Sequence, residues 1–387
     1  MRRRNWQVCG LLVVILAVGL AGCATGPQGA CFEQTDLFLS GQEGYHTFRI
    51  PALTVTPKGT VLAFCEGRKN AGSDTGDIDI VLKRSTDGGR TWGPMQLVAD
   101  DGPNTVGNPC PVVDRDMGTI WLPLTCNPGD LPERDVKPGL TGRTRTVWIT
   151  YSTDDGATWA PIRNITEAVK RPEWSWYATG PGCGIQMENG RLVIPCDHNE
   201  PMENKRASRS HVIYSDDHGM TWQIGGVVGD VFNECQIVEL ADGTLMLNMR
   251  NYAKAETRSN RRAIATSGDG GLTWSSVRHD ATLVEPICQA SFLRYTVQPT
   301  ASRNRLLFAN PASLQRRHMT VRLSYDEGET WPVAKVLHQG PTAYSALEIM
   351  PDGTIACFYE AGVANPYERI TFVRFSLEWL TDGTDSR

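Results

Sequence analysis

Five copies of one eight-residue pattern, S-x-D-x-G-x-T-W, run through this chain, at Ser85–Trp92, Ser152–Trp159, Ser215–Trp222, Ser267–Trp274 and Ser324–Trp331. Their starts lie 67, 63, 52 and 57 residues apart, so the chain is an array of similar units. Alternating β-type runs precede the boxes, such as Ile78-Asp79-Ile80-Val81-Leu82 and Thr146-Val147-Trp148-Ile149-Thr150. Each box therefore reads as a hairpin turn. Ser and Asp bond local backbone N–H groups, Gly takes the left-handed conformation, and Trp packs beneath. The box carboxylates are structural on this reading, and each box offers too few oxygens to hold Ca²⁺.

A fainter repeat introduces an apolar run six times, at Lys58-Gly59-Thr60, Met117-Gly118-Thr119, Asn189-Gly190-Arg191, Asp242-Gly243-Thr244, Arg303-Asn304-Arg305 and Asp352-Gly353-Thr354. Six four-stranded units fit the chain, so the expected fold is all-β, a six-bladed β-propeller. The sixth unit lacks the box, and its last strand is expected from the N-terminal segment near Leu37-Phe38-Leu39, which would close the ring. The propeller is expected over residues 35–380, with a tether over 23–34 and a short tail over 381–387.

In such a unit the Gly turn and the box lie at one end, and strand two runs out at the other. Counting six residues beyond the residue that follows each turn Gly or Asn reaches Glu66, Thr125, Asp197, Arg250, Pro311 and Glu360. Four of the six are charged after largely apolar runs, a pattern that no structural turn requires. That rim is the candidate functional face.

Composition excludes other classes. Lys and Arg number 38 against 43 Asp and Glu, a formal charge of −5, so no basic surface for nucleic acid is available. The 11 Trp, 10 Tyr and 10 Phe supply a core and exclude intrinsic disorder. At the N-terminus, Arg2, Arg3 and Arg4 precede an apolar stretch from Leu11 to Leu20 that is short for a membrane span. Leu20-Ala21-Gly22-Cys23 then resembles a bacterial lipobox. Residues 1–22 are accordingly expected to be a signal peptide, with Cys23 lipid-anchored and the protein exported to the cell envelope; plain secretion is the alternative. Ala24 fits outer-membrane sorting. The nine cysteines beyond Cys23 are scattered, with no CxxC pair, which argues against a disulfide framework and a zinc site. Asn164-Ile165-Thr166 has the glycosylation pattern, with little meaning in a lipobox-bearing chain.

The boxes, together with Phe48-Arg49-Ile50-Pro51 ahead of the first of them, resemble the Asp-boxes and the F/Y-R-I-P motif of sialidases (neuraminidases). The resemblance runs from about Tyr45 to Phe375. It implies hydrolysis of terminal α-linked sialic acid from glycoconjugates, with retention and without cofactor or metal, by a monomer. Sialic acid carries a carboxylate on its anomeric carbon, and the family holds it with three arginines, the side chain suited to planar bidentate recognition. Arg49 matches the first, Arg250 in Leu247-Asn248-Met249-Arg250 the second, and Arg316, six residues before Arg322, the third, with adjacent Arg317 as its alternative. Glu360 resembles the carboxylate that buttresses the first arginine.

Tyr344 in Tyr344-Ser345-Ala346-Leu347 matches the family's tyrosine nucleophile, and Glu234 in Asn233-Glu234-Cys235-Gln236 its base. A neutral phenol approaches the substrate carboxylate without the repulsion that a carboxylate nucleophile would meet. Asp74, in Ser73-Asp74-Thr75-Gly76, occupies the place of the general acid/base, with Asp77 and Asp79 as nearby decoys. Arg68 resembles a further pocket arginine, and Glu66 a carboxylate close to it. The aromatic loop Trp174–Gly182 either walls the sugar or packs in the core. Transfer of sialic acid, to another sugar or within the substrate, shares fold and site, and a propeller that only binds sialic acid shares the fold.

Overall fold

The computed structural model describes residues 29–202, 205–252 and 260–386. The expected signal peptide and Cys23 lie outside the described residues. Strands dominate: among the described residues the helical elements are Thr166–Val169, Leu377–Leu380 and the 3-10 turn Glu133–Asp135.

Neighbouring strands pair antiparallel almost throughout, in four sheets. Thr47–Val55 pairs with Val61–Arg68, and Val61–Arg68 with Ile78–Ser85. Val61–Arg68 is buried along its whole length, an apolar run that carries Glu66 and Arg68 to its far end. Ile120–Asn127, Leu192–Met202, Leu245–Asn251, Arg305–Pro311 and Ile355–Ala361 are the corresponding strands further along the chain. One long strand, Val333–Ile349, pairs through its first half with Arg317–Ser324 and through its second half with Ile355–Ala361, stitching two repeats into one sheet. Phe32–Leu39 pairs with the C-terminal strand Arg369–Phe375, and Phe38 packs its ring 5.1 Å from Phe48 and 6.0 Å from Phe358. That strand begins at Phe32, inside the segment read as a tether. Past Leu380 the chain is also tied down, with Asp385 pairing the buried Arg305 at 2.7 Å.

The five boxes share one hydrogen-bond set. In the first, the Ser85 hydroxyl donates to Asp87 at 2.7 Å and accepts the Gly89 N–H at 2.9 Å, while Asp87 accepts the Thr91 N–H at 2.9 Å and its hydroxyl at 2.6 Å. The boxes at Asp154, Asp217, Asp269 and Asp326 repeat it. Gly219 has φ +84, and a Cβ there would lie 2.2 Å from the Trp121 ring, so the box tolerates no side chain at that point. The box tryptophans differ in burial, although Trp92 keeps a bond to its own turn, donating to the Gly89 carbonyl at 3.1 Å. Trp222 and Trp331 are buried, whereas Trp92, Trp159 and Trp274 are half-buried. Trp92 and Trp159 lie against Phe372 and Phe64 of other repeats, at 5.0 and 5.5 Å.

Two turns depart from the pattern. The glycines of the other five strand-one turns take positive φ, but Asn304 does not; its side chain instead accepts the Gln298 N–H at 2.8 Å and closes a longer loop. Where the sixth box would stand, Ser376 caps the short helix Leu377–Leu380, accepting the Trp379 N–H at 3.2 Å. All nine described cysteines are free, Cys31 and Cys183 half-buried and the rest buried.

Candidate active site

Strand ends opposite the boxes converge on a cavity of about 210 Å³ lined by Arg49, Glu66, Arg68, Asp74, Glu234, Arg250, Arg316 and Tyr344 among others. The register of Thr47–Val55 shifts between Arg49 and Ala52, and Ile50 sits at φ +59, a rare conformation for a β-branched residue. The irregularity turns Arg49 and the Ile50 N–H toward the same carboxylate. Glu360, fully buried, accepts Arg49 Nε at 2.9 Å, Arg49 Nη2 at 3.3 Å, the Ile50 N–H at 2.9 Å and the Tyr344 N–H at 3.1 Å. One carboxylate thus fixes an arginine and the backbone of the tyrosine together.

Tyr344 lies between two partners. Its hydroxyl donates to Glu234 Oε1 and accepts from Arg250 Nη1 at 3.0 Å, and Arg250 also donates to Glu234 Oε2. The Arg49 and Arg316 guanidinium groups sit 5.1 and 5.6 Å from the Tyr344 ring centre. Burial first, and then the negative charge of Glu234, push the Tyr344 phenol well above its ordinary value, against the opposing pull of Arg250 and Arg316. The phenol is protonated at neutral pH, and a base already holds its proton's hydrogen bond.

Arg316 is oriented by Tyr367, whose hydroxyl it meets at 2.8 Å, and by the Ile287 carbonyl at 3.1 Å. Arg317 is exposed and does not line the cavity, so the geometry separates these neighbours. On the opposite side, Arg68 donates to Glu66 at 2.6 and 3.0 Å and pairs with Asp74 at 2.7 Å. Asp74 stands on the loop between Val61–Arg68 and Ile78–Ser85, with its side chain 74% exposed and Arg49 at 3.5 Å. Loss of solvent on the cavity side of the carboxylate works to raise its pKa, but Arg68 and Arg49 outweigh that and hold it below the ordinary range. The decoys point elsewhere: Asp77 and Asp79 both pair with Lys69, and Asp79 accepts the Tyr45 hydroxyl at 2.7 Å.

Several lining residues escaped the sequence reading. Arg145 is buried, donates to Thr125 at 3.1 Å and to Asn108 and Asn127, and stacks 4.1 Å from the Trp176 ring centre. It immediately precedes the strand Thr146–Ser152, a position where no box or turn signal marks a functional residue. Tyr252 follows Arg250 by two and binds it, and Tyr367 lies in the loop after Ile355–Ala361. Of the residues reached by rim counting, Glu66, Asp197 and Arg250 line the cavity, Glu360 and Thr125 support its arginines, and Pro311 takes no part. The aromatic loop divides: Trp176 lines the cavity, whereas Trp174 is core, stacked 3.6 Å from His198.

Among the described residues, Asp114, Asp116 and His218 bring ligand atoms within 4.8 Å of one another, but none lines the cavity. Asp114 is already bonded to His218 at 2.8 Å and to Gln186 at 3.2 Å.

Residues 59–357 match a family described as BNR repeat-like domain. A sialidase of Micromonospora viridifaciens is 36% identical over 381 residues, covering 94% of this chain and 57% of the relative. An exo-alpha-sialidase of Aspergillus fumigatus is 34% identical over 383 residues, covering 90% of this chain and 88% of that one. Among solved structures, a Hadza microbial sialidase aligns with TM-score 0.79 and 33% identity over 88% of this chain and 67% of its own. The chain spans less than two thirds of the length of the Micromonospora relative. With a repeat match over most of its length and relatives at this identity and coverage, the chain belongs to the sialidase family.

Proposed function

We propose that this protein is an exo-α-sialidase, a glycoside hydrolase that releases terminal α-linked sialic acid from glycans with retention, through a covalent intermediate on Tyr344. The observation that carries the proposal is the Tyr344 hydroxyl, bonded to Glu234 and Arg250 in a cavity that also holds Arg49 and Arg316. Three permanently charged arginines around one tyrosine suit an anionic sugar whose carboxylate sits on the reacting carbon. Tyr344 attacks that carbon while Glu234 takes the phenolic proton, so no free phenolate has to form. Arg250, bonded to both, stabilises the charge that develops between them.

Asp74 is the acid/base of this scheme. Unbound, it is a carboxylate paired with Arg68 and close to Arg49. A substrate carboxylate arriving at Arg49 takes up part of that positive charge, which shifts Asp74 toward its protonated form. Once it has protonated the leaving oxygen, Asp74 is again a carboxylate and activates the water that releases the sugar. Glu360 and Glu66 hold Arg49 and Arg68 in position.

The scaffold is a closed six-bladed propeller on this reading. The pairing of the first strand with the last supports closure, as do the packing partners of the boxes. A Cβ at Gly156 would press on Leu62 and one at Gly219 on Trp121, each in the preceding repeat, and one at Gly89 on Phe372 of the C-terminal strand, so the first box abuts the last repeat. Incubation with sialyllactose followed by NMR tests the function. Release of sialic acid first appearing as the α anomer is expected. The β anomer first would contradict retention, transfer products would redefine the reaction, and no release would leave a binding propeller.

A further inference from the structure

Asp197 belongs to no step of this scheme, yet it lines the cavity with no exposed surface. It pairs in register with Ala178 on one neighbouring strand and Ser210 on the other, which places it on the side of the pocket formed by Ala178 and Trp176. Among the described residues, neither of its carboxyl oxygens has a hydrogen-bond partner. Such isolation is costly in a folded interior unless something else completes it. The lining residues Asn233 and Arg250 carry similar orphans, Asn233 Oδ1 and Arg250 Nε, so the unmet hydrogen-bonding capacity gathers at this pocket.

We propose that Asp197 is a specificity-determining residue that binds one uncharged hydroxyl group of the bound sugar through both of its unpartnered oxygens. The inference rests on the sialidase reading and adds to it a contact with the hydroxylated part of the substrate. Burial, and then the carboxylates of Glu234 and Glu133, raise the carboxyl well above its ordinary range, while Arg250 and Arg145 pull the other way. A protonated acid donates through one oxygen and accepts through the other, as a hydroxyl both accepts and donates. A cationic substituent would strip the proton, and an anionic one would face Glu234 and Glu133.

Calorimetric titration with an unsaturated sialic acid analogue that lacks a leaving group reads this contact without turnover. Asp197→Ala should weaken Kd about 10-fold or more, whereas Asp197→Asn, a neutral donor and acceptor of the same shape, should stay within about 3-fold of the native value. On sialyllactose, Asp197→Ala should raise KM more than it lowers kcat. Analogues lacking one hydroxyl at a time identify the partner: one of them should bind the native protein about 10-fold more weakly, yet bind Asp197→Ala no more weakly than the parent analogue does. If Asp197→Ala does not fold, Asp197→Ser takes its place. An Asn variant as weak as the Ala variant, unchanged Kd in all variants, or no coupled hydroxyl would overturn the proposal. Failure of the native protein to bind the parent analogue would instead overturn the sialidase reading beneath it.

Discussion

Tyr344 can react only if its proton leaves as the bond to carbon forms, because burial and Glu234 both oppose a standing phenolate. Glu234→Gln keeps a hydrogen bond but removes the base, and turnover should fall on the order of 100-fold or more while the analogue still binds. Arg316 and Arg317 provide a paired control. Arg316→Ala removes a cavity cation and should cost about 100-fold in kcat/KM, whereas exposed Arg317→Ala should stay near native. Equal losses in both would mean that the third arginine is misassigned. Asp74→Ala should spare an activated aryl sialoside, whose phenolate departs unaided, and should depress cleavage of sialyllactose; kcat/KM on the two substrates makes the comparison. At this scale the residues of the proposed scheme were legible in the sequence wherever a motif surrounds them. Arg145, Tyr252 and Tyr367 were not, because each enters the pocket from a strand end or loop whose direction depends on tertiary packing.

The box is the element on which the repeats turn, and its carboxylate stabilises only while ionised. Hydrogen bonds from the Thr158 hydroxyl, the Thr158 N–H and the Ser152 hydroxyl lower Asp154 to about 2, against roughly 3.9 for a free aspartate. A carboxylate depressed in the folded state contributes fully above its unfolded pKa, and that contribution is lost as pH falls through the folded one. Melting temperature should therefore drop between about pH 4 and 2. Asp154→Ala should lower stability at pH 7 by about 1 kcal/mol or more, flatten part of that acid slope, and leave kcat unchanged. Loss of turnover in a folded Asp154→Ala protein would contradict the structural role. The boxes stood out in the sequence because the turn demands Ser, Asp, Gly and Thr at fixed offsets. The fates of their tryptophans did not, since burial of Trp222 and half-burial of Trp92 depend on the facing repeat.

Across the whole molecule, the N-terminal strand Phe32–Leu39 pairs with the C-terminal strand Arg369–Phe375. Phe38 is fully buried between Phe48 and Phe358, so Phe38→Ala should cost about 3–5 kcal/mol, measured by denaturant unfolding, if the chain unfolds as one cooperative unit. A near-neutral effect would indicate that the N-terminal strand is peripheral. Repeat counting indicated an array of antiparallel strands and the end at which charge gathers. It did not reveal that Val333–Ile349 runs through two repeats, because Gly340-Pro341 between its halves reads as a break between two strands. The most direct test of the account traps the bond it places on Tyr344. A fluorinated sialosyl fluoride destabilises the oxocarbenium-like transition state of both steps, yet its good leaving group keeps the first step feasible. Mass spectrometry after digestion should find one fluorosialyl unit on the peptide containing Tyr344-Ser345-Ala346-Leu347. Label on Glu234 or Asp74, or cleavage of sialyllactose with no trapped adduct, would contradict the mechanism.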